Sequence, residues 1–178
     1  MEIRLATIHD LNACLAIDDS FDTDYVYQVE ERNTSSDISV SFHLVRLPRP
    51  MKVPHIISRD ELTKDFERTG SGSIFIADDA GAVRGFIDVE ESAWNQAAYI
   101  NNLAVAPAYR RKGMGSQLMR VALEWGRQKK LRAVMLDTTT KDYPAICFYQ
   151  KFGFVFCGFN DQMYPNRDIA MLYAMSLR

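Results

Sequence analysis

Three consecutive basic residues and two glycines lie between a predicted strand and a predicted helix, in the stretch YRRKGMGSQL from Tyr109 to Leu118. Glycine weakens a helix and adjacent positive charges repel one another, so the stretch is unfavourable as ordinary surface. The N–H groups that begin a helix lack intrahelical partners, and the helix dipole makes their surroundings positive. Gly113 and Gly115 let an anion approach this backbone, and Arg110, Arg111 and Lys112 add charge. The stretch therefore predicts a phosphate-binding loop, with an ordinary tight turn as the alternative.

Two common phosphate-binding motifs do not fit this stretch. A P-loop requires Gly-Lys-Ser/Thr, which does not follow the basic run. A dinucleotide-binding fingerprint requires a third glycine, and Leu118 occupies its place. The loop therefore indicates a different class of phosphate-containing ligand.

The pattern around the loop predicts an α/β domain with a mixed sheet. Before the loop, Tyr99 to Val105 is typical of a strand, and Met114 to Trp125 after it has the apolar spacing of an amphipathic helix. A buried strand over Ala133 to Leu136 follows. Pro144 then opens another helix, which Gly153 ends. Two closing strands are predicted, from Phe154 to Phe159 and from Ile169 to Met175.

The first half of the chain is less regular. It predicts a strand at Glu2 to Ala6, followed by a capping box at Thr7 to Asp10 that opens a helix through Ile17. Strand-like runs follow at Tyr25 to Val29 and Ile38 to Leu47, and Pro48, Pro50 and Pro54 mark the exit from them. A second capping box at Ser58 to Glu61 opens a helix with Leu62 and Phe66 inward, and a hairpin then joins Ser73 to Ala77 with Val83 to Val89. No linker divides the 178 residues, so a single domain over 1–178 is expected.

Composition excludes several function classes. The net charge of -2 argues against general nucleic-acid binding, and no apolar stretch has the length of a membrane span. Three widely spaced cysteines do not suggest a disulfide framework or a zinc site, which favours the cytoplasm. His9, His43 and His55 show no metal spacing, so no metal is expected.

Two segments together resemble the GNAT superfamily of acyl-CoA N-acyltransferases. Arg110 to Gly115 is similar to its Arg/Gln-x-x-Gly-x-Gly/Ala signature, and Asp142 to Phe154 is similar to its Asn-x-x-Ala-x-x-Leu-Tyr-x-Lys-x-Gly-Phe pattern. The likeness covers Gly72 to Arg178 well and Met1 to Leu15 loosely. Within the superfamily, the streptothricin acetyltransferases are the most similar group, through Ser92 to Asn95, Leu136 to Thr140 and Ala170 to Met171.

This resemblance implies the GNAT fold, with a mixed sheet of about six to seven strands flanked by helices, and an acetyl-CoA-binding core over 99–154. It also implies direct transfer of an acetyl group from acetyl-CoA to a small cationic amine, without an acyl-enzyme. The residues that it places at acetyl-CoA are Leu103, Ala104, Val105, Arg110, Arg111, Lys112, Gly113, Met114, Gly115, Ser116, Asp142 and Tyr149.

The resemblance provides a match for the general acid but not for the general base. Tyr149 matches the family tyrosine that protonates the departing thiolate, although packing between helix and sheet is the alternative role. Many GNAT enzymes carry a glutamate on the pantetheine strand, where this chain has Asn101 and Asn102, and an amide cannot accept the proton. Glu90 and Glu91 are therefore the candidates for the general base. Asp142 replaces the usual asparagine and can still cap its helix.

The acceptor side is predicted to be the variable segment 18–58. Its acidic cluster from Asp18 to Asp24 would attract a polycationic substrate, or it is simply a solvated helix end. Tyr25, Tyr27 and Trp94 would stack on an ammonium group, or they belong to the core. The expected partners are acetyl-CoA and a small amine, with no nucleic acid and no membrane; a homodimer is left open. The alternatives are acetylation of protein N-termini or lysines, and a non-catalytic acyl-CoA-binding module.

Overall fold

The computed structural model describes residues 1–54, 57–68 and 70–177. In chain order the elements are β1 (Glu2–Leu5), α1 (Leu11–Leu15), β2 (Phe21–Asn33), β3 (Ile38–Val53), α2 (Arg59–Glu67), β4 (Gly72–Asp79), β5 (Ala82–Ser92), β6 (Ala97–Val105), α3 (Met114–Gln128), β7 (Ala133–Thr139), α4 (Tyr143–Phe152), β8 (Val155–Asn160) and β9 (Ala170–Ser176). Short 3-10 turns precede α1 and α3 and join β5 to β6.

Seven strands form one sheet in the order β1-β4-β5-β6-β7-β9-β8, and β2 pairs with β3. The pairs β1–β4, β4–β5 and β5–β6 are antiparallel, whereas β6–β7 is parallel. The predicted mixed sheet is therefore confirmed. The chain divides into two compact units, Met1–Ser20 with Pro54–Leu136 and Ala174–Arg178, and Phe21–Val53 with Asp137–Tyr173. The single domain over 1–178 stays a prediction.

The first unit has an apolar core between its first two helices and its sheet. Side chains from α1 and the residues after it, α2, β4, β5 and β6 form it, namely Cys14, Ile17, Leu62, Ile74, Ile76, Phe86 and Ala104. The predicted capping box at Thr7 is confirmed, where Asp10 accepts a hydrogen bond from Thr7 N at 2.8 Å. At the second, Ser58 caps α2 by accepting a hydrogen bond from Glu61 N at 3.5 Å, which is one half of the predicted box. The first helix ends at Leu15, before the predicted Ile17, although Ile17 is buried.

The predicted β4–β5 hairpin and the amphipathic helix α3 are both confirmed. Ala80 and Gly81 adopt left-handed conformations, with φ of 53° and 86°, as a tight hairpin turn requires. One face of α3 is buried, through Met114, Leu118, Met119, Ala122 and Leu123. This face packs the helix against its unit and fixes the position of its N-terminal turn, where the sequence predicts phosphate binding.

The second unit contains a hairpin that is longer than the sequence predicts. β2 and β3 have 13 and 16 residues, and β3 continues to Val53. The interpretation of Pro48 and Pro50 as an exit is therefore wrong. The ladder pairs Tyr25 with Arg46 and then Thr23 with Met51, so both prolines lie where pairing is interrupted. A proline has no N–H to donate, and such an interruption is where a strand tolerates one.

Candidate active site

Strand β6 has a parallel neighbour, β7, along its first four residues. β6 pairs with β7 from Ala97 to Ile100, and within the described part of the first unit no strand pairing continues on that side beyond Ile100. On its other side β6 pairs with β5, and a bulge leaves Asn101 as the extra residue, since Asp88 pairs with Asn102 and Val89 with Ile100. Unpaired strand backbone offers hydrogen bonds to an extended ligand.

The three residues predicted to hold pantetheine lie on this part of β6. Leu103 and Val105 are half-buried, and Ala104 is buried in the core against Phe86. The side chain of Ala104 is thus used for packing. Any contact of Ala104 with a ligand is therefore made by its backbone.

The basic-glycine loop joins β6 to α3 with two left-handed residues. Arg111 has a φ of 60° and Gly113, the residue that caps α3, has a φ of 87°. Left-handed geometry is uncommon for arginine, and such strain is concentrated at functional sites. A Cβ added to Gly113 would meet no atom within 4 Å, so the space in front of this glycine is open.

The charges on the loop suit an anion. Arg111, Lys112 and Gly113 are exposed, Gly115 and Ser116 are half-buried, and Met114 anchors the turn in the core. The first turn of α3 contains no acidic residue, and the helix is 15 residues long. Its first N–H groups receive no side-chain cap and lie beside two cationic side chains.

Arg110 differs from its neighbours. Its guanidinium donates to the carbonyl oxygens of Val105 at 2.9 Å, Ser20 at 2.7 Å and Asp18. Three of the five N–H donors of an arginine are thereby used for backbone hydrogen bonds within the first unit. Arg110 is placed to brace the loop, whereas the side chains of Arg111 and Lys112 are exposed.

Both glutamates proposed from the sequence have cationic partners. Glu90 pairs with Arg68, and Glu91 lies 3.4 Å from the Nζ atom of Lys129. Their side chains are 38% and 33% exposed, so each stays accessible to solvent. The structure brings Glu90, but not Glu91, into a larger charged cluster around Arg68.

That cluster contains a carboxylate missed by the sequence analysis. Asp88 on β5 is fully buried, and its two oxygens accept hydrogen bonds from Arg68 Nη2 at 2.5 Å and Asn101 Nδ2 at 3.1 Å. Burial raises the pKa of Asp88 to about 7, against the opposing effect of the Arg68 charge. An aspartate inside the apolar run from Val83 to Val89 was the signal that could have revealed it.

The second unit carries Tyr149 and Asp142. Asp142 caps α4, because its carboxylate accepts a hydrogen bond from Ala145 N at 3.1 Å, as predicted. Tyr149 is 8% exposed and packs its ring 5.6 Å from that of Phe148 and 6.0 Å from that of Phe154. Burial, followed by the charges of Asp142 and Asp137, raises the pKa of Tyr149. The phenol therefore keeps its proton at neutral pH.

Of the three aromatic residues predicted for the acceptor side, Tyr25 and Tyr27 belong to one aromatic cluster. Within the second unit, the rings of Tyr25 and Tyr27 lie 5.1 Å and 6.4 Å from that of Tyr143. Trp94 belongs to the first unit and is 88% exposed. The cluster of three tyrosines presents ring faces of the kind that attract ammonium groups.

The described residues contain no group of three or more His, Cys, Asp or Glu side chains able to hold a metal, and His55 lies outside them. Among the helices that the structure describes, none combines the length and the apolar character needed to cross a membrane.

Comparison with known proteins gives a consistent result. Residues 41–154 match the acetyltransferase (GNAT) family. Streptothricin acetyltransferase of Streptomyces lavendulae is 32% identical over 169 residues, which cover 92% of this chain and 86% of that protein. The crystal structure of nourseothricin acetyltransferase is 26% identical with a TM-score of 0.83, covering 99% of this chain and 98% of that one.

A second solved structure, a Bacillus anthracis protein assigned as a streptothricin acetyltransferase and determined in complex with acetyl coenzyme A, has a TM-score of 0.78 at 24% identity and covers 98% of each chain. At this identity the similarity concerns the fold alone. Together with the match over most of the chain to the Streptomyces enzyme, the family match shows that this chain belongs to the GNAT family of acetyltransferases.

Proposed function

We propose that this acetyltransferase transfers the acetyl group of acetyl-CoA to a primary amine of a small cationic molecule of the streptothricin type. The observation that carries the proposal is the loop before α3, where left-handed Gly113 and the exposed charges of Arg111 and Lys112 precede a helix whose first N–H groups have no side-chain cap. The relative that matches over most of the chain is a streptothricin acetyltransferase, which favours this acceptor class.

Acetyl-CoA would lie along β6 of the first unit in one direction. Its pyrophosphate would bind the N–H groups from Gly113 to Ser116. The space in front of Gly113 is open, because this residue has no Cβ and no other atom lies there. Its pantetheine arm would then run back along the unpaired side of β6, past Leu103 to Val105. The acyl group, at the opposite end of the molecule from the pyrophosphate, would lie toward the bulge at Asn101.

We assign the proton transfers as follows. Tyr149, whose pKa is raised by burial, would donate a proton to the departing thiolate. Glu90 and Glu91 stay the candidates for accepting the proton of the ammonium group, and each has a cationic partner, Arg68 and Lys129 respectively. Direct attack of the amine is proposed because no cysteine matches a family nucleophile. Three free cysteines support a cytoplasmic setting.

Charge reversal tests the proposed phosphate site. Changing Arg111 or Lys112 to glutamate should weaken acetyl-CoA binding by about tenfold, because each change replaces an attraction with a repulsion at short range. Arg120→Glu, at an exposed position farther along α3, is the matched control and should bind normally. Titration calorimetry at two salt concentrations provides the measurement. Wild-type affinity should fall with added salt, and binding that ignores salt would reject a charge-based site.

The acceptor class is tested by offering the enzyme two kinds of amine. Purified protein with acetyl-CoA should release free thiol when a streptothricin-type amine is added, and peptides with free N-termini should give much slower release. An acidic acceptor side would lower KM for the cationic amine through electrostatic steering. Turnover on peptides, with none on any small amine, would instead support a protein N-acetyltransferase.

A further inference from the structure

A hydrogen-bond chain connects three side chains of the first unit at the bulge of β6. Arg68 follows α2 and donates to Asp88, which accepts a second hydrogen bond from the side-chain amide of Asn101. Arg68 also pairs with Asp65 at 3.7 Å and with Glu90. The chain begins at a guanidinium that is 14% exposed, passes through a fully buried carboxylate and ends at an exposed amide.

The direction of the Asn101 amide follows from this chain. Its nitrogen points to Asp88, and in a planar amide the carbonyl oxygen then points away from that buried carboxylate. A protein without the Asp88 charge would have little reason to prefer this orientation. Arg68 compensates the charge that Asp88 brings into the core, since a buried carboxylate requires a partner.

Asn101 also occupies the position at which an acyl group is expected. With pyrophosphate at the start of α3 and pantetheine along Leu103 to Val105, the thioester lies toward the start of the unpaired part of β6. Asn101 is the first residue after the last β7 pair, and its side chain is exposed. An amine attacking the thioester would therefore approach this side chain, and its N–H groups need an acceptor there.

We propose that the side-chain carbonyl of Asn101 accepts a hydrogen bond from the acceptor amine, and that Asp88, held by Arg68, is the positioning residue that orients this amide. The proposal rests on the proposed function and identifies a contact that selects and aligns the amine. Asn101 is uncharged, so it orients the nitrogen without removing its proton. The neutral hydrogen-bond acceptor stands where many GNAT enzymes have a glutamate.

The test compares Asn101→Leu, which keeps the approximate size of the side chain and removes both its carbonyl and the amide that donates to Asp88, with Asn160→Leu. Asn160 is an exposed strand asparagine of the second unit, and its side chain likewise makes one hydrogen bond, accepted from Gln162 N at 2.9 Å. Asn101→Leu should lower kcat/KM for a streptothricin-type amine by about tenfold to a hundredfold, as expected for a lost hydrogen bond to a charged or polarised group. The effect should lie mainly in KM for the amine. The melting-temperature shift produced by coenzyme A should be unchanged, and Asn160→Leu should match the wild type.

Asp88→Asn tests the positioning role. On its own it should raise KM for the amine by several-fold, because an asparagine can bond either end of the Asn101 amide. In the Asn101→Leu background it should change KM by less than about twofold, since the amide it orients is already gone. Independent, additive effects of the two changes would show that Asp88 has only a structural role and would overturn the proposal.

The Asn101→Leu comparison does not depend on Asp88→Asn folding, and an Asn101→Leu enzyme with wild-type kinetics would overturn the proposal by itself. Failure of the proposed function gives a different result: the wild type would show neither a coenzyme A melting shift nor thiol release with any amine.

Discussion

Replacing Tyr149 with phenylalanine is expected to lower kcat by at least about tenfold. General acid–base groups contribute roughly a hundredfold to ten-thousandfold, and water as a substitute donor recovers part of that loss. The change deletes one oxygen and leaves the ring contacts with Phe148 and Phe154, so the fold should persist. KM for acetyl-CoA should change little, because the proton transfer occurs in the transition state. Steady-state kinetics under chemistry-limited conditions provide the measurement.

Tyr173→Phe is the control for this experiment. Tyr173 is a second buried tyrosine, 1% exposed, and burial also raises its pKa, to about 12. Removing its hydroxyl tests the cost of losing any buried phenol, and kcat should stay near that of the wild type. Because burial raises the Tyr149 pKa above the ordinary value of about 10, activity should not decline below that pH through loss of this proton. An unchanged kcat in Tyr149→Phe would leave Tyr149 with a packing role only.

Changing Gly113 to valine is expected to abolish the melting-temperature shift that coenzyme A produces in the wild type. The new side chain would fill the open space in front of the glycine, and the left-handed backbone, with φ of 87°, would be strained or would rearrange. Either result removes the N–H arrangement proposed to bind pyrophosphate. Thermal unfolding with and without coenzyme A measures the effect.

Gly81→Val is the control that separates loss of coenzyme A binding from the effect of backbone strain on stability. Gly81 has nearly the same backbone angle, with φ of 86°, and its Cβ would also meet no atom within 4 Å. It lies in the β4–β5 turn, so both variants should lose a comparable amount of stability, roughly 1–2 kcal/mol. Only Gly113→Val should lose the response to coenzyme A. A full response in a folded Gly113→Val protein would show that the phosphate lies elsewhere.

The sequence predicted the local elements well where one residue type determines the backbone. The turn at Gly81, the cap at Asp142 and the end of α4 at Gly153, with φ of 98°, follow directly from residue preferences. The long β2–β3 hairpin was underestimated because the interruption that accommodates Pro48 depends on the pairing of two strands. Such pairing is not local information.

The candidate site was predicted in part. The loop from Arg110 to Ser116 was identified from its charges and glycines, but the backbone hydrogen bonds of Arg110 could not be, since their acceptors lie up to 92 residues away in the chain. Asp88 was missed because its partners, Arg68 and Asn101, come from separate elements. The site roles, the single domain and the homodimer stay predictions.

Transfer of the acetyl group from acetyl-CoA directly to a small cationic amine is the central claim. Mass spectrometry of a reaction containing protein, acetyl-CoA and a streptothricin-type amine tests it most directly, when thiol release is measured in the same sample. The predicted result is one acetyl group gained by the amine for each thiol released, no release without amine, and an unchanged protein mass. Thiol release without amine, an acetylated protein intermediate, or an amine of unchanged mass would contradict the claim.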